Sequence, residues 1–332
     1  MNCLNPVRII NPKTRYLFDE LRFSFRKKKI NIDLMPIYES AVHKLPESED
    51  PYLNVACGKC EACLTRKANE WAFRLFHEWN CSDNAYFLTL TYHDGSLPRI
   101  KSGEPCFSKR DCQLFLKRLR KKFGNGIRYF LVSEYGSDRG RPHYHCLLFN
   151  FNYPKDDVMW QIKIEQEIAD IWKLGNVKVD EVIDERIIYC SKYCLSSLDW
   201  TDIQEESLLY LKRYYKEVHD DFNPDEIRGR TLKSFILSSR RPGIGTQWLT
   251  DEVISYYTRT LDLECKLSNG ISYPMARFYK QKIFDEQQRA DIAFFMKENR
   301  VEASPAEKEA YIYRIRKNFK KSHRLSYTDG SE

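Results

Sequence analysis
The succession of elements along the sequence predicts an α+β protein centred on a ferredoxin-like antiparallel sheet. Three observations carry this expectation. The chain has 332 residues, 42% hydrophobic and 14% aromatic, enough for a core in one large domain or two ordinary ones. Across residues 64–200 the apolar period switches between two and 3.6 in the order β-α-β-β-α-β-α. The second and third strands are separated only by the turn-rich Gly136–Pro142, so they form a hairpin. The first six elements are then the split β-α-β arrangement, with helices expected on one face of the sheet.

Each element has a local reason. Ala68, Trp71, Ala72, Leu75, Phe76 and Trp79 make one helical stripe, read as core. Ala85–Tyr92 is rich in β-branched and aromatic residues and reads as a strand. Ser108 with Asp111 opens a helix and Gly124 stops it, with Cys112, Phe115, Leu116, Leu119 and Phe123 on one side. Ile127–Tyr135 and His143–Phe151 are the hairpin strands. Val158, Ile162, Glu165, Ile168, Ile171 and Trp172 suggest the next helix, closed by Gly175, before a strand at Asn176–Val182. Asp184 caps a third helix running to about Leu195. Beyond it come a strand at Lys233–Ser239, a basic turn at Arg240–Gly243, a hairpin about Ser268-Asn269-Gly270, and helices near Asp285–Asn299 and Pro305–Lys321. Three regions are expected: an N-terminal extension (1–63) ending in a cysteine cluster, the sheet domain (64–200), and a mostly helical C-terminal region (201–332) with a basic tail.

Charge is segregated. The net charge is +7, yet Arg99–Arg128 holds ten basic residues against Glu104 and Asp111. Arg314, Arg316, Lys317, Lys320, Lys321 and Arg324 form a second basic run, whereas Asp199–Glu226 is acidic. A solvated helix face explains one such run; two, with many aromatics, point to a polyanion such as nucleic acid. Lys109, Arg110, Lys117, Arg118, Lys121, Lys122 and Arg141 are the candidate DNA contacts. No apolar run reaches the ~20 residues of a membrane helix, and the N-terminus lacks the pattern of a signal peptide. Eleven cysteines therefore suggest reduced thiols or metal rather than disulfides.

His143 and His145 alternate with Tyr144 on a strand, so both imidazoles face one way. An isolated pair of this kind is usually coincidental. Here it opens an apolar strand, and Glu134 ends the hairpin partner, with Asp138 a weaker carboxylate in the turn. Two histidines and a carboxylate with open positions suit Mg²⁺ or Mn²⁺ holding a phosphate oxygen. Tyr189 and Tyr193 stand one helical turn apart with Lys192 beside them, and a phenol of pKa ~10 needs such a cation to act as a nucleophile. Amphipathic packing is the competing explanation for both tyrosines. Cys57, Cys60 and Cys63 have metal-site spacing, for zinc or an iron–sulfur cluster; zinc is preferred because no redox partner site is visible.

Arg-Pro-His-Tyr-His (141–145) followed by Tyr-x-x-Lys-Tyr (189–193) resembles the HUH endonucleases. Phe87–Tyr92, the Cys57–Cys63 run, Glu134-Tyr135-Gly136 leading into Arg139–His145, and Ser239-Arg240-Arg241-Pro242-Gly243-Ile244-Gly245 are together similar to the replication initiation proteins of microviruses, of the gokushovirus-like branch. The resemblance implies an HUH sheet and rolling-circle initiation in the host bacterial cytoplasm. His143, His145 and Glu134 would hold the metal. Tyr189 and Tyr193 would attack origin single-stranded DNA in alternation, leaving a 5′-phosphotyrosine and a free 3′-OH before strand joining, with Lys192 stabilising phosphate or phenolate. It also implies Cys3 as the fourth ligand of a structural Zn²⁺. A host polymerase would extend the 3′-OH, and a host helicase is a conceivable partner of the C-terminal region. One departure is Ser196, where a second lysine is often found. The competing readings are a non-catalytic single-stranded DNA-binding or packaging protein and an iron–sulfur enzyme.

Overall fold
The computed structural model describes residues 3–10, 52–100, 103–136, 140–155, 157–192, 230–266, 272–299 and 304–324. The chain divides into two compact units, Met1–Thr65 with Ala306–Phe319, and Arg66–Pro305 with Lys320–Glu332. The acidic stretch 199–226 and the hairpin turn at 268–270 lie outside the described residues.

In the first unit, β1 (Val7–Ile10) and β2 (Tyr52–Val55) pair antiparallel, Val7 opposite Val55. The start of helix α1 (Glu61–Asn80) buries Cys60, Ala62 and Cys63 against Leu4 and against Ile315 of the last helix, α8 (Pro305–Arg324).

The second unit is built on an antiparallel sheet of β3 (Ala85–Leu90), β5 (Arg128–Tyr135), β6 (Pro142–Phe149), β7 (Val177–Glu181) and β9 (Ile236–Ser238), in the order β7-β3-β6-β5-β9. Helix α2 (Lys109–Phe123) joins β3 to β5, the hairpin joins β5 to β6, and α3 (Trp160–Trp172) joins β6 to β7. Short strands β4 (Phe107–Ser108) and β8 (Arg230–Thr231) pair beside it. In the hairpin register Glu134 faces His143 and Val132 faces His145; on the other side of β6, Thr89 faces His145.

Alternation along the strands separates two cores. On one face Leu88, Leu131, Tyr144, Cys146 and Leu148 pack under α2 and α3 through Phe115, Leu119, Ile168 and Trp172. On the other, Phe87, Phe130, Val132, Leu147 and Phe149 pack under α1 (Leu75, with Trp71 and Trp79 alongside) and under Ile187 and Cys190 of α4 (Asp184–Lys192). The two connecting helices take one face, as expected, and α4 lies on the face they leave free, where the third helix was expected; α1 covers that face as well. The aromatic stripe of α1 occupies the second face, so it is core, as its spacing implied. A third core joins Phe73 of α1 to α5 (Asp251–Thr260), α6 (Arg277–Ile283) and the antiparallel pair β10 (Glu264–Lys266) and β11 (Ser272–Pro274). Helix α7 (Glu286–Glu298) follows.

Two local expectations change. The buried stripe of α3 is Ile164, Ile168, Ile171 and Trp172, while Val158 and Ile162 are exposed, a shift of one register in a segment with apolar residues on several sides. Lys173, at φ 66°, takes the left-handed position that ends α3. Gly175 is needed for another reason: a Cβ there would collide with the backbone of Thr91 and Tyr92. The Ser108 hydroxyl accepts from the Asp111 N–H, and Gly124 closes α2 through its N–H to the Arg120 carbonyl, as expected.

Candidate active site
Glu134 from β5 and His143 and His145 from β6 meet on the face that carries α1 and α4. Glu134 Oε2 lies 3.4 Å from His143 Nε2 and 3.1 Å from His145 Nε2. The far nitrogen of each ring is held by the protein. His143 Nδ1 is 3.2 Å from the Arg141 carbonyl, which can only accept, so Nδ1 carries the proton and Nε2 of the neutral ring keeps its lone pair. His145 Nδ1 is 3.1 Å from the Thr89 hydroxyl, which can donate or accept and so tolerates either tautomer. Phe87 stacks on the His145 ring at 5.2 Å between centroids.

Electrostatics suit the same use. Burial alone would raise the Glu134 pKa, but hydrogen bonds from both imidazoles, and their charge in the protonated forms, drive it well below the usual carboxylate range. Burial pushes the His145 imidazole below its ordinary value, against the pull of Glu134. An anionic carboxylate and a neutral imidazole are the forms a cation needs. All three ligand atoms lie within 4.8 Å of one another. Two ligands at 2.1 Å and a right angle stand about 3.0 Å apart, so the donor set fits one divalent ion with positions left open.

Tyr189, on α4, completes the cluster. Its hydroxyl donates to Glu134 Oε2 at 2.7 Å and lies 3.4 Å from His145 Nε2. Its ring meets His145 edge-on at 5.1 Å. The helix is fixed there by Ile187 and Cys190, buried against the sheet. Lys192 is its last described residue and is half-buried. Tyr193, Ser196 and Asp138 lie outside the described residues. Tyr144 points to the opposite face, where its hydroxyl contacts Tyr92 at 3.0 Å and accepts from the Ser108 N–H at 2.8 Å.

The basic helix does not flank this cluster. α2 packs on the opposite sheet face. Lys109, Arg110, Lys117, Lys121 and Lys122 are exposed there, with Lys122 paired to Glu167. Arg118 differs from the expectation for a DNA contact: its guanidinium donates to the Ile171 and Trp172 carbonyls at 2.7 and 3.1 Å, closing the C-terminus of α3. Arg141 donates to the Tyr92 carbonyl and pairs with Asp94, so it braces the strand that carries the histidines. Sequence reasoning missed Thr89 and Phe87; their register opposite and beside His145 was the available signal.

A second cluster lies in the first unit. Cys3, Cys57, Cys60 and Cys63 bring four sulfurs within 4.8 Å of one another, with Cys3 Sγ at 3.4 Å from Cys57 Sγ and 3.6 Å from Cys60 Sγ. Backbone N–H groups point at these sulfurs: Cys57 to Cys3 at 3.2 Å, Leu4 to Cys60 at 3.3 Å, Cys60 to Cys57 at 3.3 Å. Against the effect of burial, such donors pull the Cys60 thiol down to about 6. The cluster can hold a metal.

Residues 85–198, which span the sheet strands β3 to β7 and α4, match the family of replication-associated proteins of the ORF2 kind. At the level of whole proteins, the chain is 28% identical over 240 residues to replication-associated protein VP4 of Bdellovibrio phage phiMH2K, covering 68% of this chain and 65% of that one. It is 25% identical over 259 residues to replication-associated protein ORF4 of Chlamydia phage 1 (72% and 56%), and 27% identical over 222 residues to replication-associated protein ORF2 of Spiroplasma virus 4 (63% and 65%). The matches thus span less than two thirds of each relative's length. The microvirus-like resemblance carried by the motifs is borne out by these relatives. No helix among the described residues is long and apolar enough to cross a membrane.

Proposed function
We propose that this chain is an HUH-type rolling-circle replication initiator that nicks and rejoins single-stranded origin DNA by tyrosine attack. The observation that carries the proposal is the Tyr189 hydroxyl, 2.7 Å from Glu134 Oε2 in a cluster that also offers the Nε2 atoms of His143 and His145. The strand order, fourth-first-third-second for the first four strands with β9 added at the edge, supports an HUH-type sheet. So do the relatives, which are named replication-associated proteins.

A divalent ion such as Mg²⁺ or Mn²⁺, held by Glu134, His143 and His145, supplies Lewis-acid polarisation of a phosphate oxygen. The protein's own groups do the rest. Arg141 and Thr89 fix the imidazoles, and Phe87 and the α4 core keep the phenol beside them. Glu134 accepts the phenol hydrogen and so turns an oxygen lone pair of Tyr189 outward. The Tyr189 oxygen bonds to phosphorus as the bond to the 3′ oxygen breaks, and the phenol's proton ends on that oxygen. The products are a 5′-phosphotyrosine and a free 3′-OH, and the bond energy is kept for rejoining. Tyr193, one turn along the sequence, takes the second cleavage, and Lys192 stabilises phosphate or phenolate.

The test uses phage origin single-stranded DNA with Mn²⁺ and a denaturing gel. The wild-type protein forms a denaturant-resistant adduct; EDTA and the Tyr189→Phe, Tyr193→Phe double variant abolish it. An adduct that persists in either case refutes the assignment.

The four cysteines are assigned to one structural Zn²⁺. Sulfurs 2.3 Å from a tetrahedral ion stand about 3.8 Å apart, close to the spacing seen, whereas a multi-iron cluster holds its thiolates further apart. Metal analysis of the purified chain gives about one zinc per chain, and Cys60→Ser lowers it. Iron in its place, or no metal, removes the assignment.

A further inference from the structure
The loop Arg240–Gly245 joins β9 to the third core and is not used by the tyrosine chemistry. Buried and half-buried groups hold its backbone at five points. The Arg128 guanidinium donates to the Pro242 and Gly243 carbonyls at 3.0 and 2.9 Å. Arg74 Nε donates to the Ile244 carbonyl at 3.0 Å. The Tyr279 hydroxyl donates to the Gly245 carbonyl at 3.0 Å, and the Gly245 N–H donates to Glu78 Oε2 at 2.6 Å. Glu78 is fully buried and pairs with Arg128 through both carboxylate oxygens. Gly245 sits at φ 77° with the Tyr279 hydroxyl and the Arg74 backbone where a side chain would go, so glycine is required.

These anchors grip main-chain atoms. Nothing in them requires arginine at 240 or 241, yet both positions carry one and both are exposed. Among the described residues, no carboxylate pairs with either guanidinium. Their surroundings are basic and aromatic. Arg74 lies over the rings of Trp71 and Phe278 at 4.2 and 3.8 Å. Arg120 lies over Tyr129 at 5.0 Å, and Arg240 acts on the same phenol electrostatically. Glu78, the carboxylate beneath, is already paired with Arg128. Cations beside half-buried rings suit a single-stranded nucleic acid backbone. Arg128 also shares its strand and face with Glu134, six residues on. At the rise of a strand that places the two main-chain positions about 20 Å apart, so one strand of DNA can reach both.

We infer that Arg240 and Arg241 form a preorganised phosphate clip for single-stranded DNA, a second contact remote from the tyrosine. The inference rests on the reading of the chain as a DNA-processing protein. Preorganisation matters because a rigid turn loses little freedom on binding, which the flexible lysines of an exposed helix do not offer.

The experiment measures anisotropy of fluorescein-labelled (dT)30 from 50 to 300 mM salt, with melting temperature as the folding control. Arg240→Ala with Arg241→Ala weakens binding on the order of ten-fold at low salt and flattens the log–log salt slope by about 1.4, the release from two phosphates. Arg240→Lys with Arg241→Lys retains the slope, and so separates charge from any loss of folding in the alanine pair. Wild-type affinity and slope in the folded alanine pair overturn the clip alone. Failure of the wild-type protein to bind (dT)30 at all instead overturns the proposed function.

Discussion
At the scale of single residues, the site depends on what holds the far side of each ring. The Arg141 carbonyl fixes one tautomer of His143, whereas the Thr89 hydroxyl, able to donate or accept, holds the His145 ring in either tautomer. The two histidines and Glu134 were legible because strand alternation and a hairpin leave few places for them to go. Thr89 was not, because a threonine in a strand is ordinary until its register partner is known. Another residue whose role needed the structure is His77 of α1, buried off the stripe beside Phe73, stacked on Trp248 at 4.1 Å, and with Nε2 lacking a hydrogen-bond partner among the described residues. Burial lowers its pKa from 6.5 to about 4. The unfolded chain therefore binds a proton that the folded chain refuses between those values, and stability falls as pH drops through that window. From pH 7 to pH 5 the loss is about 2 kcal/mol. Urea unfolding at both pH values should show this extra loss in the wild-type protein and not in His77→Phe; equal losses would remove the explanation.

At the scale of elements, the strands were easier to read than the helices' neighbours. Alternation along β6 is enough to set Tyr144 on the face opposite the imidazoles. The helix faces were harder. A stripe on α3 could be drawn through Ile162 or Ile164, and only the packing against β7 and α2 selects Ile164. Nor could the sequence show that α1 joins α4 on the second face of the sheet, because the stripe of α1 names no partner. Arg118 is the clearest example, since its acceptors are two carbonyls more than fifty residues away. Removing it leaves the end of α3 without those charge-assisted bonds. Arg118→Ala should lower stability by about 1.5–3 kcal/mol while leaving single-stranded DNA affinity within two-fold, the reverse of a surface DNA contact. Chemical unfolding and anisotropy on one preparation decide it; a stable variant with weakened DNA binding would return Arg118 to the DNA interface.

At the scale of the molecule, the sheet of the second unit separates two kinds of work. One face, under α2 and α3, is an aromatic core in which Tyr92, Tyr144, Ser108 and Asp111 hydrogen-bond with one another. The other face carries Glu134, His143, His145 and Tyr189 at one end of β5 and β6, and at the far end of β5 the anchored arginine loop. The segregation of charge pointed towards a polyanion, but it directed attention to the basic helix on the face without the histidines. The most direct test of the account is to map the covalent bond. Protein incubated with origin single-stranded DNA and Mn²⁺, then digested with protease and nuclease, should yield one class of nucleotide-bearing peptide, with the phosphate ester on Tyr189 or Tyr193. An ester on any other residue, or strand cleavage with no protein-linked nucleotide, would contradict it.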